Sequence, residues 1–464
     1  MPRWLVPLVL ALLTGSSAAG ALGASTARRG GDEATASPLV PVLSPRRVPG
    51  VVSNLVSDTR LRTDLEAVLA NPTLGARNRS CLVVRQEARK LFERRVTTPL
   101  IPASTMKVLT AQAVLARLGP DHRLDTEVRA AHPVGPGGVV NGALWLVGGG
   151  DPVLATADFA LTPPDQPQIR TRFETLADAL VNAGVRQVTG GVVGDETRYD
   201  VRRFVPTWKP TYITSGQVGP ASALNVNHGF SSLGSGVAFA SQPDVLAAGV
   251  LTDLLRARGV VVGAGPGEGK APPGAGVLAR ISSPPMREVV AEMLLHSDNL
   301  TAELLVKELG HRFANDGSTA SGLRIVRETL SSSGLPVSEF SAVDGSGLDR
   351  GDVVTCGLLL AAVEANGPTS PLAAGLPVAG RSGTLAQRFS GNPAVGRLRA
   401  KTGSLDNVTG LAGYVDPVGV GQHLAFALLA NDVPNESAGR ALQERIGAIL
   451  ARYPEGPPPA TLAP

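Results

Sequence analysis

The sequence is poor in several residue types, and each shortage excludes something. Only 2 of its 464 residues are cysteine, and aromatic residues make up 4%. The formal net charge is only +4 with arginines spread along the chain, so no basic surface for nucleic acid is indicated. The six histidines form no H-E-x-x-H or similar pair, and none lies near a cysteine at metal-ligand spacing. We therefore expect no metal and no cofactor.

Lysine is also scarce, with six residues among the 43 lysines and arginines of the chain. The basic surface is therefore built mainly with arginine. A lysine that persists against this preference is a candidate for a role that arginine cannot fill, because an ammonium can lose its proton and a guanidinium cannot. The plainer interpretation, that a given lysine is an ordinary solvated residue, fits most single lysines.

Long hydrophobic runs are absent, and the N-terminus carries the one notable apolar stretch. Leu5 to Leu13 follows Arg3 and precedes the small residues Ala19-Gly20-Ala21, a pattern typical of a secretion signal and short for a membrane span. We expect residues 1–24 to be a signal peptide and residues 25–50 a linker, with an uncleaved anchor as the alternative. The mature protein should then be extracytoplasmic, without a stable membrane span.

The two cysteines, Cys81 and Cys356, lie far apart in the sequence. Export permits a disulfide between them. Free cysteines are also among the most buried residue types. We favour two buried thiols over a bond and leave both open.

The succession of helical, strand-like and turn-rich patterns in the sequence predicts an α+β fold with an insertion. Helical periodicity over Asn54–Leu69 precedes a short strand at Cys81–Val84 and a helix over Ala103–Leu118. From about residue 125 short strand-like runs and turns dominate, and helical texture returns near residue 282. The predicted units are a main domain (51–125 and 279–453), a β-rich inserted module (126–278) and a flexible tail (454–464).

The first motif with chemical meaning is Ser104-Thr105-Met106-Lys107, directly after Pro102. In a helix, residues i and i+3 share a face, so a hydroxyl and an ammonium would meet at a helix N-terminus. There Lys107, if neutral, can serve as the base that activates Ser104 as a nucleophile. A capping serine followed by a solvated lysine is the plainer interpretation.

The second motif is Ser297-Asp298-Asn299, which interrupts a helical stretch. Polar groups at a helix break are costly unless they point at something. Here a hydroxyl can relay a proton and an amide can hold a carbonyl. Ser390-Gly391-Asn392 also fits S-x-N, but an Asn-Pro turn explains it, so we favour Ser297.

The third motif, Lys401-Thr402-Gly403-Ser404, begins a predicted strand. A lysine on a strand can project into a cleft as a fixed charge, and the hydroxyls of Thr402 and Ser404 can bind a carboxylate. Gly403 would let substrate backbone approach closely. The backbone N–H groups of Ser404 and Ser104 could form an oxyanion hole.

The order S-x-x-K, S-D-N, K-T-G is known from penicillin-binding proteins and class A β-lactamases. Further matches are Gly149-Gly150-Asp151-Pro152, Asp344-Gly345-Ser346-Gly347-Leu348 with Arg350, and Gly413-Tyr414. Over nearly all of its mature length the sequence resembles the D-Ala-D-Ala carboxypeptidase/endopeptidase family of class C low-molecular-mass penicillin-binding proteins. On residues alone, the Asp344–Gly347 segment is also compatible with a tight turn.

The resemblance implies a penicillin-recognising serine transpeptidase/β-lactamase-like domain, an antiparallel sheet flanked by helices, with a large insertion between the first two motifs. The implied substrates are peptidoglycan stem peptides ending in D-Ala-D-Ala, and β-lactam antibiotics would bind covalently. The implied catalytic residues are Ser104, Lys107, Ser297, Asn299 and Lys401, with Thr402, Gly403 and Ser404 binding the substrate. The resemblance also implies that Lys401, together with Thr402 and Ser404, receives the terminal carboxylate. Ser404 stands where the family often has threonine.

Two other functions share parts of this pattern. A β-lactamase must also activate a water for deacylation, but the sequence contains no E-x-x-L-N element and none of its four tyrosines begins Y-x-N. A non-catalytic cell-wall sensor would not need Lys107. The balance between carboxypeptidase and endopeptidase action, and the role of the inserted module, stay open at this point.

Overall fold

The structure is a computed structural model that describes residues 49–75, 79–159, 169–232, 237–417 and 421–462. The predicted signal peptide and nearly all of the predicted linker lie outside the described residues. Pro49 and Gly50, expected to end the linker, are instead the first residues of a helix. Within the described ranges, no helix is both long and apolar enough to cross a membrane.

The helices of the described residues are α1 (Pro49–Leu69), α2 (Met106–Leu118), α3 (Glu174–Asn182), α4 (Pro210–Thr214), α5 (Pro243–Arg256), α6 (Met286–His296), α7 (Asn299–Ala314), α8 (Thr319–Ser332), α9 (Cys356–Asn366), α10 (Pro371–Ala374), α11 (Glu436–Arg452) and α12 (Pro459–Leu462). Short 3₁₀ turns cover Pro72–Leu74, Ala103–Thr105, Pro136–Gly138, Asn227–Gly229 and Gly383–Leu385.

The strands are β1 (Arg79–Gln86), β2 (Arg89–Arg94), β3 (Asp125–Ala130), β4 (Val139–Val140), β5 (Leu144–Val147), β6 (Leu154–Ala155), β7 (Thr171–Arg172), β8 (Gln187–Val188), β9 (Val192–Asp195), β10 (Val261–Val262), β11 (Gly267–Glu268), β12 (Gly276–Ser282), β13 (Leu398–Leu405), β14 (Val408–Val415) and β15 (Leu424–Asn431).

The main domain is built on one antiparallel five-stranded sheet, in the order β13-β14-β15-β1-β2. Because side chains alternate along a strand, β1 contributes to two cores. Val83 packs on one face with α2 and α9, whereas Leu82 and Val84 pack on the other with α1 and α11. This antiparallel sheet between helical layers confirms the expected fold class.

Most of helix α2 is buried in this domain. Every residue from Met106 to Val114 is buried, because α6, α7, α8 and α9 surround the helix on the side away from the sheet. A helix that is covered all round holds its side chains in fixed positions. The first turn of α2 is therefore a rigid platform for Ser104 and Lys107.

The two cysteines form a disulfide, with a Cα–Cα distance of 6.0 Å between Cys81 and Cys356. Our preference for two buried thiols was therefore wrong. Spacing in the sequence carried no sign of the bond, because Cys81 lies in β1, the fourth strand in the sheet order, and Cys356 is the first residue of α9. Both residues are fully buried.

Replacing both cysteines by alanine is expected to lower the free energy of unfolding by about 2–5 kcal/mol. The bond closes a loop spanning 275 residues, and the cysteines lie in the main core, where alanine leaves unfilled volume. Thermal denaturation of the variant, beside the unaltered protein with and without reductant, measures the effect. A variant that melts with the unaltered protein would contradict the expectation.

The inserted segment contains three further sheets, ordered β11-β9-β5-β3-β12, β10-β8-β4 and β6-β7. It is less purely β than expected, since α3 and α5 pack on the sheets and β5 pairs parallel with β9. Strands β3 and β12 pair from Ser282↔Asp125 to Gly276↔Ala130. The chain thus leaves and re-enters the main domain at about 125 and 282, and the predicted boundary at 278 would divide β12.

The C-terminal segment differs from the flexible tail expected for residues 454–464. It contains α12, which packs against α1. Ser53 of α1 donates a hydrogen bond of 2.8 Å from Oγ to the carbonyl of Pro457. Apolar and hydrogen-bonding contacts with α1 therefore hold this Pro-rich segment on the main domain.

Candidate active site

Ser104 lies in the 3₁₀ turn that leads into α2, and Lys107 lies in the first turn of α2. The i, i+3 spacing brings them together as expected, and Lys107 Nζ donates a hydrogen bond to Ser104 Oγ at 3.0 Å. Ser104 is partly exposed, whereas Lys107 is fully buried. The arrangement is a reachable hydroxyl backed by a shielded amine.

The Ser297-Asp298-Asn299 segment joins α6 to α7. Ser297 has the left-handed conformation, with φ of 61°, which ends α6. Asp298 then caps α7 by accepting a hydrogen bond from the backbone N–H of Thr301 at 3.3 Å. Asn299 thereby points toward α2, and its Oδ1 accepts a hydrogen bond from Lys107 at 2.6 Å. The helix break delivers two of the predicted residues to the site.

Strand β13 lies at the edge of the main sheet and carries the third motif. Lys401 Nζ donates to Ser297 Oγ at 2.8 Å and to the carbonyl of Thr402 at 2.8 Å. Thr402 is partly exposed and Ser404 is exposed. The three motifs, separated by almost 300 residues from first to last, therefore converge on one place.

Lys401 differs from the expectation in one respect. We expected a charge projecting into an open cleft, but this side chain is fully buried against Ser297. The exposed hydroxyls of β13 belong to Thr402 and Ser404. A ligand in the cleft would thus meet these hydroxyls before it met Lys401.

Gly403 has a different reason for being glycine than the one predicted. A Cβ at this position would lie 2.7 Å from the carbonyl oxygen of Pro102, which is closer than non-bonded atoms approach. The glycine therefore lets β13 pack against the backbone that leads to Ser104. It sets the distance between the first and third motifs.

The competing S-x-N segment lies outside this cluster. Asn392 donates from Nδ2 to the carbonyl of Glu444 at 2.9 Å and accepts from the backbone of Ala394 at 2.9 Å. These are the contacts of a structural turn against α11. The choice of Ser297 over Ser390 agrees with this placement.

With the geometry in place, comparison with known proteins identifies the family. The chain matches the D-Ala-D-Ala carboxypeptidase 3 (S13) family over residues 61–237 and 231–453. This chain belongs to the S13 family.

Individual members of known function or structure agree with this assignment. The D-alanyl-D-alanine carboxypeptidase of Actinomadura sp. (strain R39) is 31% identical over 487 residues, covering 86% of each chain. Carboxypeptidase DacB of Mycolicibacterium smegmatis is 32% identical over 462 residues, covering 95% of each chain. Penicillin binding protein 4 of Haemophilus influenzae has the same fold, with a TM-score of 0.70 at 20% identity, over 83% of this chain and 97% of that one.

Burial controls the charge of both active-site lysines in this S13 member. Desolvation lowers the pKa of Lys107 from 10.5 to about 8, even though the nearby carboxyls of Asp344, Glu303, Asp298 and Asp352 act in the opposite direction. Desolvation, reinforced by the charge of Lys107, lowers the pKa of Lys401 well below its ordinary value. Both amines are therefore much easier to deprotonate than a surface lysine.

The site also contains groups that the sequence reasoning missed. The carbonyl of Ser346 accepts a hydrogen bond from Lys107 at 2.6 Å, so the Asp344–Gly347 segment is a turn that also contacts the candidate site. The carbonyl of Gln217 accepts from Asn299 Nδ2 at 2.8 Å. Backbone carbonyls have no residue signature, so no sequence pattern pointed to either.

The inserted module touches the site through side chains as well. Trp208 donates from Nε1 to Asp344 Oδ2 at 2.7 Å, and Thr207 donates to Asp349. Trp208 is one of only three tryptophans in the chain, and a buried indole N–H requires an acceptor. The need of a buried tryptophan for an acceptor was the one sequence feature that could have pointed to this contact. The module thus buttresses the turn behind Lys107.

A cavity of about 270 Å³ opens beside the helix break, lined in part by Val218, His228, Glu292, His296 and Ser297. Desolvation, with the charge of Asp298, raises the pKa of the Glu292 carboxyl to about 7. His228 Nε2 lies 3.6 Å from Asp298 Oδ2. Part of the wall of the active-site region is therefore supplied by the inserted module.

Proposed function

We propose that this protein is a serine-type D-Ala-D-Ala carboxypeptidase that forms an acyl-enzyme on Ser104. The observation that carries the proposal is the convergence of Ser104, Lys107 and Asn299 in one hydrogen-bonded cluster, with Ser297 and Lys401 paired beside it. A hydroxyl nucleophile needs a base within hydrogen-bond reach. Lys107 meets that requirement and is buried enough to lose its proton.

In the proposed mechanism, neutral Lys107 removes the proton of Ser104 as Oγ attacks the carbonyl between the two D-alanines. The tetrahedral oxyanion is stabilised by the backbone N–H groups of Ser104 and Ser404. The proton passes to the departing D-alanine by way of Ser297, which Lys401 holds in place. Hydrolysis of the ester by water then restores Ser104.

Substrate binding is assigned to the rest of the third motif. The hydroxyls of Thr402 and Ser404 would donate hydrogen bonds to the terminal carboxylate of the stem peptide. Penicillins carry a carboxylate in the corresponding place. Thr402 Oγ1 is already oriented, because it lies 2.9 Å from Thr384 Oγ1. No step of this mechanism requires a metal or a cofactor.

The substrate and compartment follow from the same assignment. We propose that the protein acts outside the cytoplasm on peptidoglycan stem peptides ending in D-Ala-D-Ala, and that β-lactam antibiotics acylate it. DD-endopeptidase action on cross-links is compatible with the same acyl-enzyme, because only the leaving group differs.

Incubation with a labelled penicillin is expected to place the label covalently on the peptide that contains Ser104. Ser104→Ala should abolish the labelling. Ser390→Ala, at the exposed serine of the competing S-x-N segment, should not change it. An adduct on another serine, or rapid release of hydrolysed penicillin without an adduct, would contradict the proposal.

Monomeric and cross-linked muropeptides measure the two peptidase activities. Loss of one D-alanine from a monomeric pentapeptide reports carboxypeptidase action, and conversion of dimers to monomers reports endopeptidase action. Ser104→Ala is the control for both products. A protein that binds penicillin and releases neither product would support the non-catalytic sensor instead.

A further inference from the structure

The turn at Asp344–Gly347 lies directly behind the first turns of α2. Its Ser346 carbonyl accepts a hydrogen bond from Lys107 at 2.6 Å, and its Gly345 carbonyl accepts one from Thr110 Oγ1 at 2.7 Å. The carbonyls of two adjacent turn residues therefore accept hydrogen bonds from side chains in the first turns of α2. The position of the Lys107 amine depends on whatever fixes this turn.

Glu303 is one of the side chains that hold this turn, and it binds the two residues whose carbonyls contact α2. Its Oε1 accepts hydrogen bonds from the backbone N–H of Ser346 at 2.9 Å and of Gly345 at 3.1 Å. Glu303 is only 2% exposed. It follows Asn299 by four residues on α7, so the two side chains share a helix face. One contacts Lys107 directly and the other contacts the turn that receives Lys107.

The charges that face Lys107 come from three elements. Helix α7 and its cap supply Glu303 and Asp298, the turn region supplies Asp344 and Asp352, and β13 supplies Lys401. Burial, with the charge of Asp344, raises the pKa of Asp352 well above its ordinary value.

The Asp344 carboxylate is held by hydrogen bonds. It accepts hydrogen bonds from Trp208 Nε1, from the Gly347 N–H at 2.6 Å and from the Asp349 N–H at 2.7 Å. Burial, reinforced by Asp344, raises the pKa of Glu303 to about 8, close to that of Lys107. The two groups therefore titrate in the same pH range, and each favours the charged form of the other.

We propose that Glu303 is a positioning residue for the acylation step: it holds the Gly345–Ser346 turn against Lys107 and places a buried carboxylate close to the amine. The inference rests on the proposed function of Ser104 and Lys107. Glu303 does not contact the nucleophile. It acts through the turn that it holds and through the electrostatic effect of its carboxylate on Lys107.

The variant Glu303→Gln separates geometry from charge. Oε1 accepts from both backbone N–H groups, and Oε2 has only a longer contact of 3.3 Å to the Gly345 N–H. A glutamine with its oxygen in the place of Oε1 can therefore keep the two shorter hydrogen bonds while losing the charge. Acylation requires neutral Lys107, so its rate should rise with pH through about 8 in the unaltered protein. In Glu303→Gln we expect the midpoint of this rise to move down by at least about half a pH unit. In Glu303→Ala we expect the maximal acylation rate to fall at least about tenfold, because the turn is no longer anchored.

The measurement is the second-order rate of labelling by a fluorescent penicillin between pH 5 and 10, with thermal denaturation of each variant as a check on folding. Glu308→Gln is the matched control, since Glu308 is buried on the same helix and bonds instead to Arg198 and Tyr199. Its midpoint should stay at the unaltered value. Equal rate losses at every pH in Glu303→Gln, an equal shift in Glu308→Gln, or an Ala variant as fast as the unaltered protein would overturn the proposal.

A second readout is independent of activity. The chain has six lysines, so a protein labelled with ¹³Cε-lysine gives few NMR signals, and Lys107→Met identifies the one from Lys107. Its titration midpoint should fall in Glu303→Gln. An unchanged midpoint would overturn the inference, whereas a shifted midpoint in a protein that penicillin does not label would refute the proposed function and leave the role of Glu303 standing.

Discussion

Replacing Lys107 by methionine is expected to reduce the rate of acylation by penicillin by at least about a hundredfold, the usual contribution of a positioned general base. Methionine has nearly the length of lysine and no amine, so Ser104 keeps its place in the turn and loses its proton acceptor. The rate is measured by stopped-flow or gel-based labelling at a pH where the acylation rate of the unaltered protein has reached its maximum. A variant that is acylated at the unaltered rate would remove Lys107 from the mechanism.

The same variant should not be less stable. A folded-state pKa depressed from 10.5 to about 8 means that the buried charge destabilises the folded state by about 3 kcal/mol at pH 7. This cost is fully present below pH 8 and disappears as the pH rises toward 10.5. Its removal offsets the loss of the hydrogen bonds to Ser104, Asn299 and Ser346. We expect a thermal midpoint equal to or above that of the unaltered protein at pH 7.

Lys307→Met provides the matched control. Lys307 is almost fully buried, at 1% exposure, and its ammonium pairs with Asp200 of the inserted module. Asp200 is partly exposed, with 35% of its side chain accessible, so the substitution leaves a partly buried carboxylate without its partner, which destabilises the protein. Lys307→Met should therefore lower the thermal midpoint and spare the acylation rate per folded molecule. The two variants are expected to show opposite patterns, which a general loss of folding cannot produce.

The sequence could predict the parts of the site that depend on local spacing. Ser104 and Lys107 are three residues apart, so any helix start at Pro102 brings them together. The helix break at Ser297 was visible as a polar interruption of an apolar pattern. The scarcity of lysine was also informative, since Lys107, Lys307 and Lys401 are all buried. Their persistence in an arginine-rich chain reflects burial rather than surface charge.

The parts that could not be predicted depend on contacts between distant segments. Glu303 looked like an ordinary helical glutamate, and its importance comes from the turn that packs against it more than 40 residues later. The Cys81–Cys356 bond and the pairing of β3 with β12 are also long-range. Their partners are set by the tertiary fold, which no local periodicity encodes.

Lys401→Ala is expected to slow acylation by about 30-fold or more, which is about 2 kcal/mol and lies within the cost of leaving a buried hydrogen-bonding group without its partner. The structure favours a particular reason for the loss. Lys401 Nζ is buried and donates to Ser297 Oγ, so its removal frees the hydroxyl that relays the proton. The alternative reason is loss of a positive charge that attracts the substrate carboxylate.

A pair of peptide substrates that differ only at the terminus, one ending in a carboxylate and the other in a carboxamide, separates the two reasons. If Lys401 acts through Ser297, its loss slows both substrates by similar factors, because both need the relay. If Lys401 binds the carboxylate, the acid loses much more than the amide. We expect similar factors, since burial and the charge of Lys107 lower the pKa of Lys401 well below its ordinary value and so weaken it as a fixed charge.

Thr402→Val should show the complementary pattern. Valine keeps the shape of threonine and removes the hydroxyl, which is partly exposed on β13. The acid should then be slowed more than the amide, because charge-assisted hydrogen bonds to a carboxylate are stronger than those to a neutral group. If instead Lys401→Ala loses the preference for the acid over the amide and Thr402→Val retains it, Lys401 is the residue that binds the carboxylate.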